Sequence, residues 1–285
     1  MERKPAWLKI KLDHTPQYRA VRQLVERHRL HTICSSGKCP NIGQCWSSGT
    51  ATFMILGDIC TRSCKFCATT TGKPLQPSAD EPQKIAESIK VMQLTHCVIT
   101  SVDRDDLSDK GAAHWADTIR AVRSVNPHTV IEVLIPDFDA EPALIDTTLA
   151  AKPDIVGHNI ETVERLTSVV RSRASYRKSL STLRYAARHG FITKSGIMVG
   201  LGEMHEEVLQ TMREAHEAGV RLFTIGQYLQ PTAAHFPVAA YVTPAQFEVY
   251  RKAGLEIGFD HIESAPLVRS SYMAEKSFIH SQIKL

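Results

Sequence analysis

No stretch of this sequence approaches the roughly 20 consecutive apolar residues that a membrane-crossing helix needs, so a membrane is not expected among its partners. The opening segment MERKPAWLKIKLD is too charged for a secretory signal peptide. Basic runs interleaved with aromatic residues are missing, which argues against a nucleic-acid partner. Internal repeats and low-complexity linkers are absent. The thirteen histidines form no H-x3-H motif paired with a glutamate, and read as structural or surface groups. An even cysteine count is lacking too: there are seven, and without a secretion signal a disulfide framework is not expected. The protein is expected to be soluble and cytoplasmic.

What is present fits one α/β domain with short extensions. The 285 residues are 43% apolar and 22% charged, enough to build a sizeable core without disulfides. The net charge of +4 is unevenly spread: residues 1–31 hold eight Lys or Arg against three acids. Such a basic arm is either a solvated face or a steering patch for an acidic partner.

From about residue 51, short apolar runs rich in β-branched residues alternate with amphipathic segments. The runs cover 51–58, 96–101, 129–135, 154–160, 194–200 and 221–227, and their continuous apolarity suits strands buried on both faces of a parallel sheet. Helices are expected over 81–94, 112–124, 205–218 and 244–257. Asp80 with Gln83, and Thr243-Pro244 with Gln246, provide capping boxes. Six strand–helix units are two short of an eightfold barrel, so a partial (β/α)6 barrel over 51–257 is expected. The extensions 1–50 and 258–285 would cover its ends, and its lateral mouth would suit a macromolecular substrate. In such barrels the chemistry lies at the C-terminal ends of the strands.

The cysteines carry the chemistry. Six of the seven lie between residues 34 and 67, and Cys97 sits alone in an apolar run as a buried free thiol. Cys60, Cys64 and Cys67 follow the first strand with C-x3-C-x2-C spacing. Three thiolates can each hold one iron of a 4Fe–4S cube, leaving the fourth open for a substrate or cosubstrate. The alternatives are zinc or three reduced structural thiols. Structural zinc wants four ligands, usually as two C-x2-C pairs, and exposed thiols without a ligand invite oxidation. Cys34, Cys39 and Cys45, spaced C-x4-C-x5-C just upstream, suggest a second cluster, although this spacing is less diagnostic.

The C-x3-C-x-aromatic-C segment resembles the radical S-adenosylmethionine (SAM) superfamily signature. The stretch from Cys34 to Gly72 resembles the lipoyl synthase family within it, except that Ser35 to Lys38 replace a region where many members carry an acidic residue. TSVDRDDLSDKGAAHWADTIRAVR, HNIETVERL, KSGIMVGLGE, IGQYLQPT and PLVRSSYMAEKSF extend the likeness over roughly residues 5–278.

The resemblance implies a sulfurtransferase. Two SAM molecules would be cleaved at the Cys60, Cys64, Cys67 cluster. The resulting 5′-deoxyadenosyl radicals would abstract hydrogen from carbons 6 and 8 of an octanoyl chain on a carrier lysine. An auxiliary 4Fe–4S cluster on Cys34, Cys39, Cys45 and Ser271 of the Arg-Ser-Ser-Tyr motif (Ser270 stands beside it) would be sacrificed as the sulfur donor. An alkoxide is a hard ligand for iron held among sulfides, which suits a cluster meant to come apart. The implied partners are an octanoylated lipoyl-carrier domain or H protein and a small electron-transfer protein. Phe66, Thr100, Asn159 and Glu161 would contact SAM. Gly196 to Glu203, Gln227 and Tyr228 are further polar groups at strand ends, and Lys73 and Arg104 are candidates for orienting an anionic or peptide group.

Overall fold

The computed structural model describes residues 4–10, 15–272 and 274. Part of the basic arm (Arg3 and Lys11 among it) and most of the segment after Tyr272 lie outside the described residues. The described residues fall into two bodies, one built from 11–63 and 68–156, the other from 1–10, 64–67 and 157–285.

In the first body, α1 (Pro16–His28) starts where the Thr15 side chain accepts the Tyr18 amide at 3.2 Å and Pro16 presets the first turn. It packs on α3 (Ile42–Ser47) and α4 (Glu81–Met92), and Tyr18 meets Trp46. Strand β1 (His31–Thr32) runs antiparallel to β2 (Thr52–Ile55), and the short α2 (Ile33–Ser36) follows β1. Strands β3 (Ile59–Cys60) and β4 (Thr70–Thr71) form a small parallel pair of their own. Parallel pairing then continues from β2 to β5 (His96–Ser101) and β6 (Val130–Leu134), with Thr52 opposite Val98 and His96 opposite Val130.

Helices α4 and α5 (Ala112–Val125) pack on each other, and α6 (Pro142–Leu149) lies beside α5. Phe53, Ile55, Ile85, Ile89, Trp115, Ile119 and Ile131 are fully buried. The expected α4 capping box does not form. Asp80 stands at the N-cap without a side-chain cap bond and instead pairs with Lys84 at 2.6 Å.

Strand β7 (Ile155–Gly157) falls at the division. The second body carries α7 (Glu164–Val170), α8 (Tyr176–Arg188), β8 (Ile192–Val199), α9 (His205–Glu217), β9 (Leu222–Gln227), α10 (Pro244–Ile257) and β10 (His261–Ser264). Both β8 and β10 pair parallel with β9. Leu166, Leu180, Val208, Met212, Phe223, Phe247 and Ile262 lie in its buried core, and Phe66 packs against it. At α10, Thr243 accepts the Gln246 amide as expected, but the Gln246 side chain turns to His205.

All six expected strands form, each followed by helix, giving the six units of a partial barrel. The sheet then gains β10 from the C-terminal extension. Only Ile262 of its four residues is buried, so it carries no continuous apolar run to mark it in the sequence.

Candidate functional site

The first cysteine triplet is held differently along its length, and the division between the bodies falls inside it. Cys60 ends β3 in the first body. Its sulfur accepts the Arg62 and Asp103 amides at 3.4 Å each, and the Asp103 carboxylate lies 3.7 Å away. Thr61 is tied to the loop after β5: its amide and hydroxyl both donate to the Asp103 carbonyl, and the Asp105 amide donates back to its hydroxyl.

Arg62 anchors this half of the loop. Its side chain is 4% exposed. Nε and Nη2 donate to the two Asp105 oxygens at 2.9 Å each. Nη1 and Nη2 donate to those of Asp137 at 3.0 and 2.9 Å. Asp103 adds a third carboxylate at 3.4 Å. Two fork-to-fork contacts fix both position and plane of the guanidinium. Burial opposes its charge, and the Asp105, Asp103 and Asp137 carboxylates more than offset that, so the group's pKa is raised.

Asp137 is presented by an unusual turn: Phe138, Asp139 and Ala140 have φ of +45°, +54° and +59°. Left-handed backbone costs L-residues roughly 1–2 kcal/mol each, and such strain persists where the surroundings enforce it. The sequence reading missed Arg62 and Asp137. The available signal was an invariably charged arginine inside a thiol loop together with an acid-rich loop after the second strand.

The other half, Cys64–Cys67, belongs to the second body. It closes on itself through the Cys67 amide to the Cys64 carbonyl at 3.0 Å. The Cys64 sulfur lies 4.0 Å from the Ser172 hydroxyl.

Cys34, at the start of α2, is buried, and Cys45 lies on α3 with Cys39 between them in sequence. Burial pushes the Cys45 thiol up to about 12, and the nearby Cys34 and Cys39 sulfurs add to the shift. Burial raises Cys34 as well, with Cys39 contributing. The three thiols of this triplet therefore stand within electrostatic reach of one another. Cys34 and Cys45 resist ionisation until positive charge is supplied, which is what iron would do for them. Among the described residues no three His, Cys, Asp or Glu side chains converge on a single-ion site. A cube in which each thiolate takes a different iron does not call for one.

Ser271 lies in the second body, half-buried, in a turn closed by the Tyr272 amide on the Arg269 carbonyl at 2.9 Å. Gly226 on β9 lets this segment approach: a Cβ there would collide with the Val268 carbonyl oxygen.

The remaining candidates separate into two groups. Asn159 fits a ligand-holding role. The Asn159 Oδ1 is buried without a hydrogen-bond partner, an atom that costs free energy unless something bound satisfies it. Glu161 sits at φ +71°, held by the Glu161 amide on Gly196 and the Met198 amide on its carbonyl. Thr100, by contrast, donates its hydroxyl to the Leu134 carbonyl at 3.2 Å. Gln227 is buried and binds the Tyr228 and Ala240 carbonyls and the Val242 amide, while Tyr228 donates to the Phe236 carbonyl. Both pin the loop after β9. Arg104 is buried and spends its donors on Asp106 and the Leu56 carbonyl, so it cannot orient a substrate group. Lys73 is exposed.

Glu203 closes its own loop. Its two oxygens accept the Gly200 and Leu201 amides at 2.6 and 2.9 Å. Glu203→Ala is expected to cost about 1–3 kcal/mol by leaving those amides unpaired, read by thermal unfolding of the metal-free chain. A loss below ~0.5 kcal/mol would mean the loop holds itself.

The Radical SAM superfamily profile matches residues 54–223. Proteins named lipoyl synthase are similar along nearly the whole chain. The one from Bacteroides fragilis is 60% identical over 274 residues, covering 96% of this chain and 95% of its own. The one from Phocaeicola vulgatus is 57% identical over 274 residues, covering 96% of each. The one from Flavobacterium psychrophilum is 56% identical over 277 residues, covering 97% and 96%. Among solved structures, methylornithine synthase superposes with a TM-score of 0.55 at 13% identity, over 90% of this chain and 85% of its own. Streptococcus suis SuiB does so at 0.59 and 8% identity, over 87% and 52%. At such identities these two show the fold alone, an α/β partial barrel.

Proposed function

Since the chain belongs to the lipoyl synthase family of the radical SAM superfamily, we propose how its own residues carry that family's reaction. The enzyme is a sulfurtransferase of the radical SAM class that inserts sulfur at carbons 6 and 8 of a protein-bound octanoyl-lysine. It works with two 4Fe–4S clusters and SAM, which when bound supply electrons, hydrogen abstraction and sulfide sulfur.

We assign Cys60, Cys64 and Cys67 to the cluster that works with SAM. Three thiolates leave one iron without a protein ligand, the position an amine and carboxylate can take. Cys34, Cys39, Cys45 and Ser271 are assigned to the auxiliary cluster. The observation that carries this is that Cys34, Cys39 and Cys45 lie in one body close enough for their sulfurs to interact, with Cys34 buried and the other two partly so. The Ser271 oxygen, a harder donor than thiolate, would hold its iron less firmly, as a consumable cluster requires.

Asn159 and Glu161 are assigned to holding SAM, with Phe66 supplying a backbone contact and the Thr100 hydroxyl, its hydrogen given to the Leu134 carbonyl, acting only as an acceptor. Asn159→Ala is expected to weaken SAM binding about tenfold, the worth of one hydrogen bond to a charged or polar ligand group. It should change metal-free stability little, because Asn159 Oδ1 has no partner to lose. Calorimetric titration checks the first and thermal unfolding the second; unchanged affinity would remove Asn159 from the site.

The extensions 1–50 and 258–285 supply auxiliary-cluster ligands to the 51–257 barrel. Exposed Arg19, Arg22, Arg27 and Arg29 suit an acidic lipoyl-carrier domain, and a small electron-transfer protein completes the cycle. No helix among the described residues is long and apolar enough to cross a membrane. Six cysteines in two cluster-like spacings, in turn, favour a reducing compartment, the cytoplasm.

The test is an iron and acid-labile sulfide count on anaerobically purified protein. About eight of each are expected, falling to about four when either triplet is replaced by alanine. Zinc without sulfide would sink the cluster reading. Four in the wild type, unchanged by loss of Cys34, Cys39 and Cys45, would remove the auxiliary cluster.

A further inference from the structure

We propose that His235 is a positioning residue for the Cys64–Cys67 half of the radical-cluster loop, acting through the backbone carbonyl of Cys67. The proposal rests on the assignment of Cys60, Cys64 and Cys67 to that cluster.

The His235 Nε2 lies 3.0 Å from the Cys67 carbonyl oxygen. A carbonyl only accepts, so Nε2 carries the hydrogen. In the neutral ring Nδ1 is then the acceptor, and the Thr232 hydroxyl donates to it at 2.8 Å. The tautomer is thus set by the protein, as in any imidazole whose second nitrogen is engaged. The segment that presents the ring is itself braced. The His235 amide donates to the Thr232 carbonyl at 3.0 Å, and Gln230 Nε2 donates to the His235 carbonyl at 2.8 Å. The next residue continues the clamp, with the Phe236 amide on the Lys65 carbonyl at 2.9 Å and the Tyr228 hydroxyl on the Phe236 carbonyl at 2.7 Å. Opposite, the Lys65 amide donates to the Val170 carbonyl at 2.8 Å. The loop after β9 therefore grips two carbonyls of a four-residue segment, one through backbone and one through His235.

The consequence is geometric. A peptide group is planar, so holding the Cys67 carbonyl also fixes the direction of the following Ala68 amide and the backbone from which the Cys67 side chain departs. A cube demands thiolates at set separations. Without His235 the carbonyl would turn to water and the Cys67 sulfur would sample a wider range. His235 is only half-buried, and Thr232, Ala233 and Ala234 at the loop tip are exposed. The ring therefore adds little to the core, and its removal should leave the body folded.

The experiment compares wild type, His235→Ala and His235→Gln, glutamine keeping an N–H donor near the place of Nε2. In the metal-free chain, amide exchange across Phe66 to Ala68 and alkylation of Cys67 should each rise about tenfold in His235→Ala, while exchange in β8 and β9 stays unchanged. His235→Gln should lie close to wild type. In iron-loaded protein already lacking Cys34, Cys39 and Cys45, chelator should strip iron several-fold faster from His235→Ala. Unchanged exchange and alkylation in His235→Ala, or equal acceleration in both variants, would overturn the proposal. If the iron count shows no cluster on Cys60, Cys64 and Cys67, the failure lies with that assignment; if the cluster is present and His235→Ala changes nothing, it lies with His235.

Discussion

Replacing Cys34, Cys39 and Cys45 together by alanine is expected to end formation of the lipoyl product while SAM cleavage continues. The two triplets have separate supports. Cys60 is held by the Arg62 and Asp103 amides, and the Cys64–Cys67 turn by its own hydrogen bonds and those of Lys65. Cys34 and Cys45 sit on the short helices α2 and α3, and α1 packs on the second of these. Loss of three thiols from this region leaves the first loop's contacts in place, so the SAM-cleaving half should persist. Quantifying 5′-deoxyadenosine and lipoyl product in one assay decides it. The reciprocal variant, Cys60, Cys64 and Cys67 to alanine, should lose both. Lipoyl product from the first variant would show that these cysteines are not the sulfur donor's ligands.

Arg62→Ala is expected to destabilise the metal-free chain by about 3–5 kcal/mol, the cost of breaking a buried ion pair by removing one partner. The size follows from what is left behind. The Asp105 and Asp137 side chains are 5% and 1% exposed and lose four hydrogen bonds between them, beside a third carboxylate at Asp103. Asp137 also stands before the left-handed Phe138–Ala140 turn, whose conformation needs a firm anchor. Arg62→Lys keeps the charge but not the planar fork, and should recover only part of the loss. Urea unfolding of the three proteins measures this. A loss under ~1 kcal/mol for Arg62→Ala would mean that water enters and solvates the carboxylates.

The strands were legible because burial on both faces writes continuous apolar runs; 51–58, 96–101 and 221–227 each contain the strand observed there. The second extension's strand, His261–Ser264, was not, because with only Ile262 buried it lacks such a run. Capping was half legible. Thr243 caps as its sequence suggests, whereas Asp80 prefers Lys84, a choice between two local partners that spacing alone cannot rank.

By itself the sequence determined the chemistry available. Six cysteines in two spaced groups, the aromatic Phe66 and the RSSY tail are covalent facts of the chain, and thiolate coordination depends first on which donors exist and how far apart they lie. Tertiary structure alone decided which polar side chains are free to meet a ligand. Arg104, Glu203, Gln227 and Tyr228 are as polar as Asn159, yet their hydrogen bonds go to backbone and neighbouring carboxylates, whereas the Asn159 Oδ1 is buried with none. The reason is that a buried polar group must find a partner, and the partner is supplied by residues such as Asp137 or Cys67 that are brought near only by folding. The same holds for Arg62 and His235, whose roles reside in contacts 75 and 168 residues away along the chain.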